Sequence, residues 1–299
     1  MNILIISGTG FIGSNLCECL SDKNNVTIIS KYKHKFCDEI RDVKYIYEDW
    51  RNFDFEIFFS NNQFDKIILL GWSDHPRSSN KEIFQSFNTN VTATIKIIDK
   101  IFNYSKAEIY FLSSFGALPQ IDSSYKNQLI SGYSAGKLTI ETYLETYSNI
   151  FERKSSSIRL SNPFGKYQDP NGSQGVIAVF IGNAINKKQI NIFKNEDFKK
   201  DYINICKASE IISRILAKPH KDFFEIQEVR SGKVLSVLDI ASHINFHISI
   251  IDLVPNKLKD LINEGTKELK VVLEANKDSD EKNFSNEILS TINWIKRIN

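Results

Sequence analysis

Short apolar runs recur along the first part of the chain, at residues 3–6, 26–30, 43–47, 65–71 and 109–113. An unbroken run of this length is typical of a strand buried on both faces of a parallel sheet. Between the runs, apolar residues return every three or four positions, which indicates helices. Strands that alternate with helices predict an α/β fold with a doubly wound parallel sheet of the Rossmann type.

The same pattern predicts two domains. Residues 1–165 hold all five predicted strands of the large sheet, and segment 200–217 is expected to pack back on them. Residues 166–299 are predicted to form a smaller mixed α/β lobe at the C-terminus, with a helix over 176–185, a short strand over 189–193 and further helices.

A glycine-rich turn follows the first strand directly. Gly8, Gly10 and Gly13 have the spacing G-x-G-x-x-G and open a helix, which is the dinucleotide-binding pattern. In that pattern the backbone approaches a pyrophosphate and the N–H groups of the helix N-terminus face its charge. The alternative is a tight turn without a ligand, but the position after a buried strand favours a cofactor. The predicted cofactor-binding residues here are Gly8, Thr9, Gly10, Phe11, Ile12 and Gly13.

The end of the second strand bears on the choice of cofactor. An enzyme that prefers NAD usually places an acid there, whereas this chain has Ser30 and Lys31, followed by Lys33 and Lys35. A hydroxyl and ammonium groups suit a 2′-phosphate, so NADP(H) is favoured. If these lysines are only a solvated loop, NAD(H) remains open.

A tyrosine and a lysine lie four residues apart on a predicted helix. Tyr133 and Lys137 therefore share one face of that helix, and a positive charge beside a phenol is expected to lower the phenol pKa. The spacing alone is weak. Its value comes from the order along the chain, because the glycine turn and a strand ending in Ser113 and Ser114 precede it.

The sequence resembles the extended short-chain dehydrogenase/reductases that act on nucleotide sugars, a group of epimerases, dehydratases and 4-ketoreductases. The resemblance covers the first two-thirds of the chain well and the last 80 residues loosely. The residues that carry it are the glycine turn, Asn90, Ser113 and Ser114, Tyr133 and Lys137, residues 159–165 and residues 200–203.

The resemblance implies roles for these residues. Tyr133 would be the general acid/base, and Lys137 would support it and hold the cofactor ribose. Ser114 would bind the substrate oxygen, with Ser113 as the alternative, because the register depends on the placement of Pro119. For the substrate, Asn162 would contact the diphosphate, Lys200 would replace a phosphate-binding arginine, and Phe115 would line the site. For the cofactor, Asp49 and Trp50 would flank the adenine, and Gly71 would line the binding site.

Departures from the family pattern narrow the choice among the reactions of the group. Dehydratases of the group have an Asp-Glu pair where this chain has Phe115 and Gly116, which argues against dehydration. The short loop before Tyr133 and the basic end of the second strand favour NADPH-dependent reduction of a nucleotide-linked 4-keto-6-deoxysugar. Such a reaction serves deoxysugar synthesis for surface polysaccharides such as O-antigen. An NAD-dependent nucleotide-sugar 4-epimerase is the alternative, and a non-catalytic NADP(H)-binding sensor is a third interpretation.

Composition sets the remaining expectations. The 299 residues carry a net charge of +2, which gives no reason to expect nucleic acid as a partner. No apolar run reaches the roughly 20 residues that a membrane helix needs, so we expect a cytoplasmic protein without a membrane partner. His243 and His247 have helical spacing but no evident third ligand, so no metal site is expected. The resemblance also implies a homodimer.

Overall fold

The computed structural model describes residues 1–74, 76–117, 131–192, 199–275 and 278–298. The strands are β1 (Asn2–Ile6), β2 (Asn25–Ile29), β3 (Lys44–Ile46), β4 (Lys66–Leu69), β5 (Glu108–Ser114), β6 (Ser155–Leu160), β7 (Asn162–Phe164), β8 (Lys200–Asn204), β9 (Phe224–Val229) and β10 (Val234–Leu235). The α-helices are α1 (Phe11–Ser21), α2 (Phe55–Asn61), α3 (Pro76–Ser79), α4 (Ile83–Ser86), α5 (Ala93–Tyr104), α6 (Gly132–Phe151), α7 (Val176–Ile185), α8 (Ile205–Ala217), α9 (Val237–His247), α10 (Asn256–Glu274) and α11 (Ser279–Ile298).

The large sheet has seven strands in the order β3-β2-β1-β4-β5-β6-β9, and every neighbouring pair is parallel. The chain builds outward from β1 in both directions, which confirms the doubly wound α/β fold. Ile6 pairs with Ile29 on one side and with Leu69 on the other. The carboxyl ends of β1, β2 and β4 are therefore level, and the residues that follow them meet at one edge of the sheet.

The core of this sheet explains why its strands are apolar. The four residues from Ile3 to Ile6 are at most 1% exposed, because helices cover both faces. On one face Leu4, Ile67 and Ile109 pack with Ile98 of α5 and Ile140 of α6. A π-helical turn, Phe87–Thr92, joins α4 to α5 within the segment that covers this face.

A smaller sheet has the order β10-β8-β7 and mixes directions, since β7 is parallel and β10 antiparallel to β8. Its residues share a core with α7, α9 and α11, which includes Phe164, Ile181, Ile240 and Ile288. This confirms the smaller mixed α/β lobe. The strand predicted over 189–193 is wrong for 189–192, which have irregular backbone, and residue 193 lies outside the described residues.

The chain divides into two compact units, residues 1–161 with 208–229 and residues 162–207 with 230–299. This division differs in detail from the sequence-based boundary at residue 165. Residues 162–165 and 200–207 belong to the second unit, because β7 pairs with β8. Residues 218–229 belong to the first unit, because β9 pairs with β6 and extends the large sheet. None of the described helices is both long enough and apolar enough to cross a bilayer.

Candidate active site

The glycine turn after β1 leaves an open cradle at the start of α1. A Cβ atom on Gly13 would lie 2.4 Å from the carbonyl oxygen of Gly8, so only glycine allows this close packing. A Cβ on the exposed Gly10 would meet nothing within 4 Å. The helix N-terminus beside Gly10 has no side-chain cap, so its N–H groups are available to an anion. The cradle therefore fits a dinucleotide pyrophosphate.

The residues after β2 pack against this turn. The Ser30 hydroxyl lies 2.6 Å from the Thr9 hydroxyl, and Thr9 donates to the carbonyl oxygen of Tyr32 at 2.7 Å. Because the Thr9 proton goes to Tyr32, the Ser30 proton is directed to Thr9. The Ser30 hydroxyl, which is expected to suit a phosphate, thus also ties the loop to the glycine turn.

Lys31 and Asp49 form an ion pair at the ends of β2 and β3, with 3.4 Å between Nζ and Oδ2. Arg51 adds a second cation, 3.0 Å from the Asp49 carboxylate. Partial burial tends to raise the pKa of Asp49, but the hydrogen bonds and charges of Arg51 and Lys31 outweigh it and lower the pKa. The Asp49 carboxylate is thus neutralised by two cations, Lys31 and Arg51.

Trp50 and Gly71 are in direct contact. A Cβ on Gly71 would lie 2.6 Å from Cζ2 of the Trp50 indole, which is 6% exposed and part of the core. Gly71 therefore allows the indole to pack beneath the end of β4. The indole, expected beside an adenine, is thus almost fully buried in the first unit.

The first turn of α6 is held by hydrogen bonds from distant residues. The Ser131 hydroxyl accepts from the Ser134 N–H and caps the helix. The Tyr133 N–H donates to the Ser79 hydroxyl at 2.9 Å, and the Gly132 N–H donates to the Asn80 side chain at 2.9 Å. These contacts satisfy N–H groups that a helix N-terminus leaves unpaired, and they fix the position of Tyr133.

Ser114 and Tyr133 meet at the end of β5. The side chain of the half-buried Ser114 lies beside the phenol, where hydrogen bonding from Ser114 acts to lower the phenol pKa, and the Ser114 Oγ accepts from the Gly116 N–H at 3.2 Å. Ser113, by contrast, is 4% exposed, and its buried hydroxyl has no hydrogen-bond partner among the described residues. The geometry thus favours Ser114 over Ser113 beside Tyr133. Pro119, on which the register was expected to depend, lies outside the described residues.

Lys137 lies one turn further along α6 and is only 3% exposed. Its Nζ donates to the Leu112 carbonyl oxygen at 2.7 Å and lies 4.1 Å from the ring centroid of Trp72 and 4.7 Å from that of Phe111. Burial lowers the pKa of Lys137 to about 7, although the Glu141 carboxylate opposes this effect. The ammonium is therefore only partly charged at neutral pH.

The expectation of a lowered pKa for Tyr133 is wrong. Burial raises the pKa of the phenol, and the hydrogen bond from Ser114 offsets this only in part. Lys137 lies 5.8 Å from the Tyr133 ring but, with its own pKa near neutrality, carries less charge than the spacing suggested. The phenol consequently stays protonated at neutral pH.

A buried ion pair attaches α6 to β6. Arg159 binds the Glu141 carboxylate through two nitrogens, at 3.1 and 2.6 Å, and Ser157 donates to the same carboxylate at 3.0 Å. Both charged side chains are largely buried, at 13% and 6% exposure. The pair fixes the helix that carries Tyr133 and Lys137, and it raises the pKa of Arg159.

The second unit places two predicted substrate residues on neighbouring strands. Asn162 on β7 is exposed and donates to the carbonyl oxygen of Asp201 at 2.9 Å. Lys200, also exposed, precedes Asp201 on β8. The Asp201 carboxylate accepts from the N–H groups of Ser231 and Gly232 at 3.0 and 2.6 Å, which fixes this turn.

The two histidines of α9 face protein groups. Nε2 of His243 lies 2.5 Å from the Glu281 carboxylate, and Nε2 of His247 lies 2.9 Å from the Ser285 hydroxyl. The hydrogen bond from His243 is the main cause that lowers the pKa of Glu281 to about 2. Within the described part of the chain, no group of three or more His, Cys, Asp or Glu could hold a metal ion.

A model of the NAD dependent epimerase/dehydratase family matches residues 3–226. The chain belongs to this family. Its members are NAD(P)-dependent epimerases, dehydratases and reductases of nucleotide sugars, so the chain is an enzyme of the oxidoreductase type. This identity agrees with the resemblance found in the sequence.

Two curated relatives of this family member have different activities. It is 26% identical over 253 residues to a putative UDP-glucose 4-epimerase of Methanocaldococcus jannaschii, with 81% of each chain covered. It is also 26% identical over 273 residues to dTDP-4-dehydro-6-deoxyglucose reductase of Escherichia coli, with 83% of this chain and 82% of the relative covered. The relatives share a family but not one reaction.

Solved structures share the fold. The UDP-N-acetylglucosamine 4-epimerase of Methanobrevibacter ruminantium, in complex with UDP-N-acetylmuramic acid, matches with a TM-score of 0.78 and 21% identity over 100% of this chain and 99% of its own. The UDP-glucose 4-epimerase of Thermus thermophilus, in complex with NAD, matches with a TM-score of 0.69 and 21% identity over 81% of this chain and 83% of its own.

The sequence of this epimerase/dehydratase family member did not identify one site residue, Trp72, and gave no role to a second, Asn90. Trp72 follows Gly71 at the carboxyl end of β4, and that position was the signal that could have identified it. Asn90 was noted only as part of the resemblance. In the structure its side chain accepts from the N–H and the hydroxyl of Ser73, at 2.8 and 3.0 Å, and donates to Asp74 at 2.6 Å. Asn90 therefore holds the segment that carries Trp72.

Proposed function

We propose that this protein reduces a nucleotide-linked 4-keto-6-deoxysugar with NADPH, in the synthesis of deoxysugars for surface polysaccharides. The observation that carries the proposal is the meeting of Ser114, Tyr133 and Lys137 at the carboxyl end of β5. Similarity to the dTDP-4-dehydro-6-deoxyglucose reductase of Escherichia coli supports a reaction of this kind.

The state of Tyr133 suits reduction. A ketone that accepts a hydride becomes an alkoxide and needs a proton donor in place. The raised pKa keeps Tyr133 protonated at neutral pH, so the phenol can donate its proton to that oxygen. Ser114, already hydrogen-bonded to the phenol, would donate to the same oxygen as negative charge develops on it. NADPH, when bound, supplies the hydride.

Residues of the first unit would hold the cofactor. The backbone from Gly8 to Gly13 would bind the pyrophosphate, and Lys137, which has two further N–H groups beyond the one that binds Leu112, would bind a ribose. Lys31 supports NADPH over NADH, because its exposed ammonium follows β2 where an enzyme that prefers NAD carries an acid. Arg51 offsets the neighbouring Asp49 charge.

Asn162 and Lys200 would bind the diphosphate of the substrate. Both are exposed at the mixed sheet of the second unit, and their amide and ammonium groups are donors that suit phosphate oxygens. An amide and a lysine provide charge and hydrogen bonds without the bidentate geometry of arginine.

We also propose a homodimer formed through α6. This helix exposes a set of large apolar side chains: Tyr143, Ile150 and Phe151. A set of this kind on one helix favours association. Ile150→Glu should convert a dimer to a monomer in sedimentation, and a wild-type monomer would exclude it.

The second candidate is an NAD-dependent nucleotide-sugar 4-epimerase. It is favoured by the relative from Methanocaldococcus jannaschii, which is named as a putative UDP-glucose 4-epimerase. An epimerase uses the same tyrosine reversibly and consumes no cofactor. A purified protein that retains stoichiometric NAD and oxidises no NADPH would favour this candidate.

The test is NADPH oxidation against a panel of 4-keto-6-deoxysugars linked to dTDP, UDP, GDP and CDP, with NADH in parallel. The proposal predicts turnover with at least one substrate and a higher kcat/KM with NADPH. Binding of NADP(H) without turnover of any 4-keto sugar or nucleotide sugar would leave only the sensor interpretation.

A further inference from the structure

Trp72 lies against the residues proposed for catalysis, although the family motifs assign it no role here. The centroid of its indole is 4.1 Å from the Lys137 Nζ, well within the range of a cation–π contact. It also meets the Tyr133 ring edge-on, with 6.0 Å between centroids and 80° between planes. The indole thus contacts both residues of the tyrosine–lysine pair.

The space that the indole fills depends on a glycine. A Cβ on Gly136 would lie 3.0 Å from Cζ2 and 3.1 Å from Cη2 of Trp72, which is tighter than ordinary packing. Gly136 directly precedes Lys137, so the residue that admits the ring is adjacent to the residue that the ring contacts. On the other side, Asn90 fixes the backbone of Ser73, next to Trp72.

The indole nitrogen of Trp72 indicates that this position needs the aromatic face of a tryptophan and not only apolar volume. The Trp72 Nε1 is buried and has no hydrogen-bond partner among the described residues, which is unfavourable for a polar atom. If the site required only apolar volume, phenylalanine would fill much of it without an unpaired donor. Tryptophan offers the strongest cation–π face of the aromatic side chains, and an ammonium lies over it.

We propose that Trp72 is a positioning residue, which holds the Lys137 ammonium through its ring face and so sets the affinity of the enzyme for its dinucleotide cofactor. Two contacts then orient the amine of Lys137. One N–H donates to the Leu112 carbonyl oxygen, and the face of the Trp72 indole packs against the nitrogen. The proposal rests on the proposed function only in that Lys137 binds the cofactor.

A double-mutant cycle on cofactor affinity tests this. Trp72→Phe, Lys137→Met and the double variant are titrated with NADPH by calorimetry. With Lys137 present, Trp72→Phe should weaken binding about threefold to tenfold, the range of one partly buried cation–π contact. With Met at position 137 the same change should have almost no effect. Equal weakening in both backgrounds would show that Trp72 acts independently of Lys137 and would overturn the proposal.

Two further variants separate positioning from a general effect. Gly136→Ala should displace the indole without removing any hydrogen-bonding group, and should also weaken NADPH binding and lower kcat more than it changes the KM of the sugar. Trp294→Phe makes the same substitution in the second unit and should leave NADPH affinity unchanged. A Gly136→Ala enzyme with wild-type affinity would contradict the proposal.

The cycle has a second readout that needs neither cofactor nor substrate. In urea unfolding, the effects of the two substitutions on the midpoint should be non-additive. The double variant loses the Trp72–Lys137 contact only once, whereas each single variant already loses it. Additive midpoints, together with additive affinities, would exclude the contact. If the wild type binds no dinucleotide, the proposed function fails, and the urea cycle alone then decides whether Trp72 holds Lys137.

Discussion

The side-chain amine of Lys137 and the carbonyl oxygen of Leu112 are joined by a hydrogen bond of 2.7 Å. This bond links α6 to β5 two residues before Ser114, so it fixes the amine beside the end of the strand that carries the serine. Lys137 is buried among aromatic rings at the same point.

The buried amine should make stability depend on pH. Burial lowers the pKa of Lys137 from 10.5 to about 7 in the folded protein, whereas the unfolded chain keeps the ordinary value. Between these two values the unfolded chain binds one proton more, so this residue makes the free energy of unfolding rise with pH. The free energy of unfolding of the wild type, minus that of Lys137→Met, should therefore increase between pH 7 and pH 9 in urea titrations.

Lys106→Met provides the control for this experiment, because Lys106 is exposed at the opposite end of β5. The free energy of unfolding of the wild type, minus that of Lys106→Met, should stay constant between pH 7 and pH 9. A Lys137 difference that is flat or that falls with pH would mean that the amine is solvated.

The ion pair between Glu141 and Arg159 should stabilise the helix that carries the site. Glu141→Gln leaves a largely buried guanidinium without its counter-charge, which should lower the free energy of unfolding by about 3 kcal/mol. Because the Glu141 charge raises the pKa of Lys137, the same variant should move that pKa further below 7. Urea unfolding gives the first result, and amine-labelling rates against pH give the second.

Glu56→Gln is the matched control for Glu141→Gln. The Glu56 carboxylate pairs with Lys100 at the surface, where both side chains are about half exposed, so its loss should change stability little. Equal effects of the two variants would contradict the role of the buried pair.

Lys31 should influence the choice between NADPH and NADH. Lys31→Glu reverses the charge after β2, so the affinity for NADPH should fall about threefold to fivefold or more, as expected for an exposed charge contact, while NADH affinity is kept. Calorimetry with both cofactors measures the ratio. Lys106→Glu, far from the glycine turn, should not change the ratio of NADPH affinity to NADH affinity. If Lys31→Glu also leaves this ratio unchanged, the argument from Lys31 for NADPH fails.

Lys200 should act on the sugar nucleotide alone. Lys200→Ala removes one exposed positive charge, so the KM of the substrate should rise by about fivefold while kcat and cofactor affinity stay constant. Lys257→Ala, an equally exposed change on α10 of the same unit, is the control. A fall in kcat without a change in KM would place Lys200 outside the diphosphate site.

The local parts of this site were predictable from the sequence. Strand, glycine turn and helix follow one another directly, and the rules for parallel sheets bring the residues after β1, β2 and β4 to one edge. Tyr133 and Lys137 are four residues apart, so they share a face of the helix. These inferences need only neighbouring residues and the chain order.

The electrostatics of the site were not predictable in this way. The pKa of Tyr133 depends on burial, which comes from side chains contributed by several elements, and burial outweighed the effect expected from Lys137. The contact of Trp72 with Lys137 joins residues far apart in sequence and depends on the absence of a side chain at Gly136. The hydrogen bond between the Ser30 and Thr9 hydroxyls was also not predictable, because these residues meet only in the folded turn.

The most direct test of the whole account is the single-turnover rate of Tyr133→Phe with NADPH and a 4-keto-6-deoxysugar that the wild type reduces. Loss of a positioned proton donor should lower this rate about 10²- to 10⁴-fold, while the affinity for NADPH stays within about twofold of the wild type. Tyr143→Phe, an exposed change on the same helix, should react at the wild-type rate. A Tyr133→Phe enzyme that reduces the sugar as fast as the wild type would contradict the role of the tyrosine.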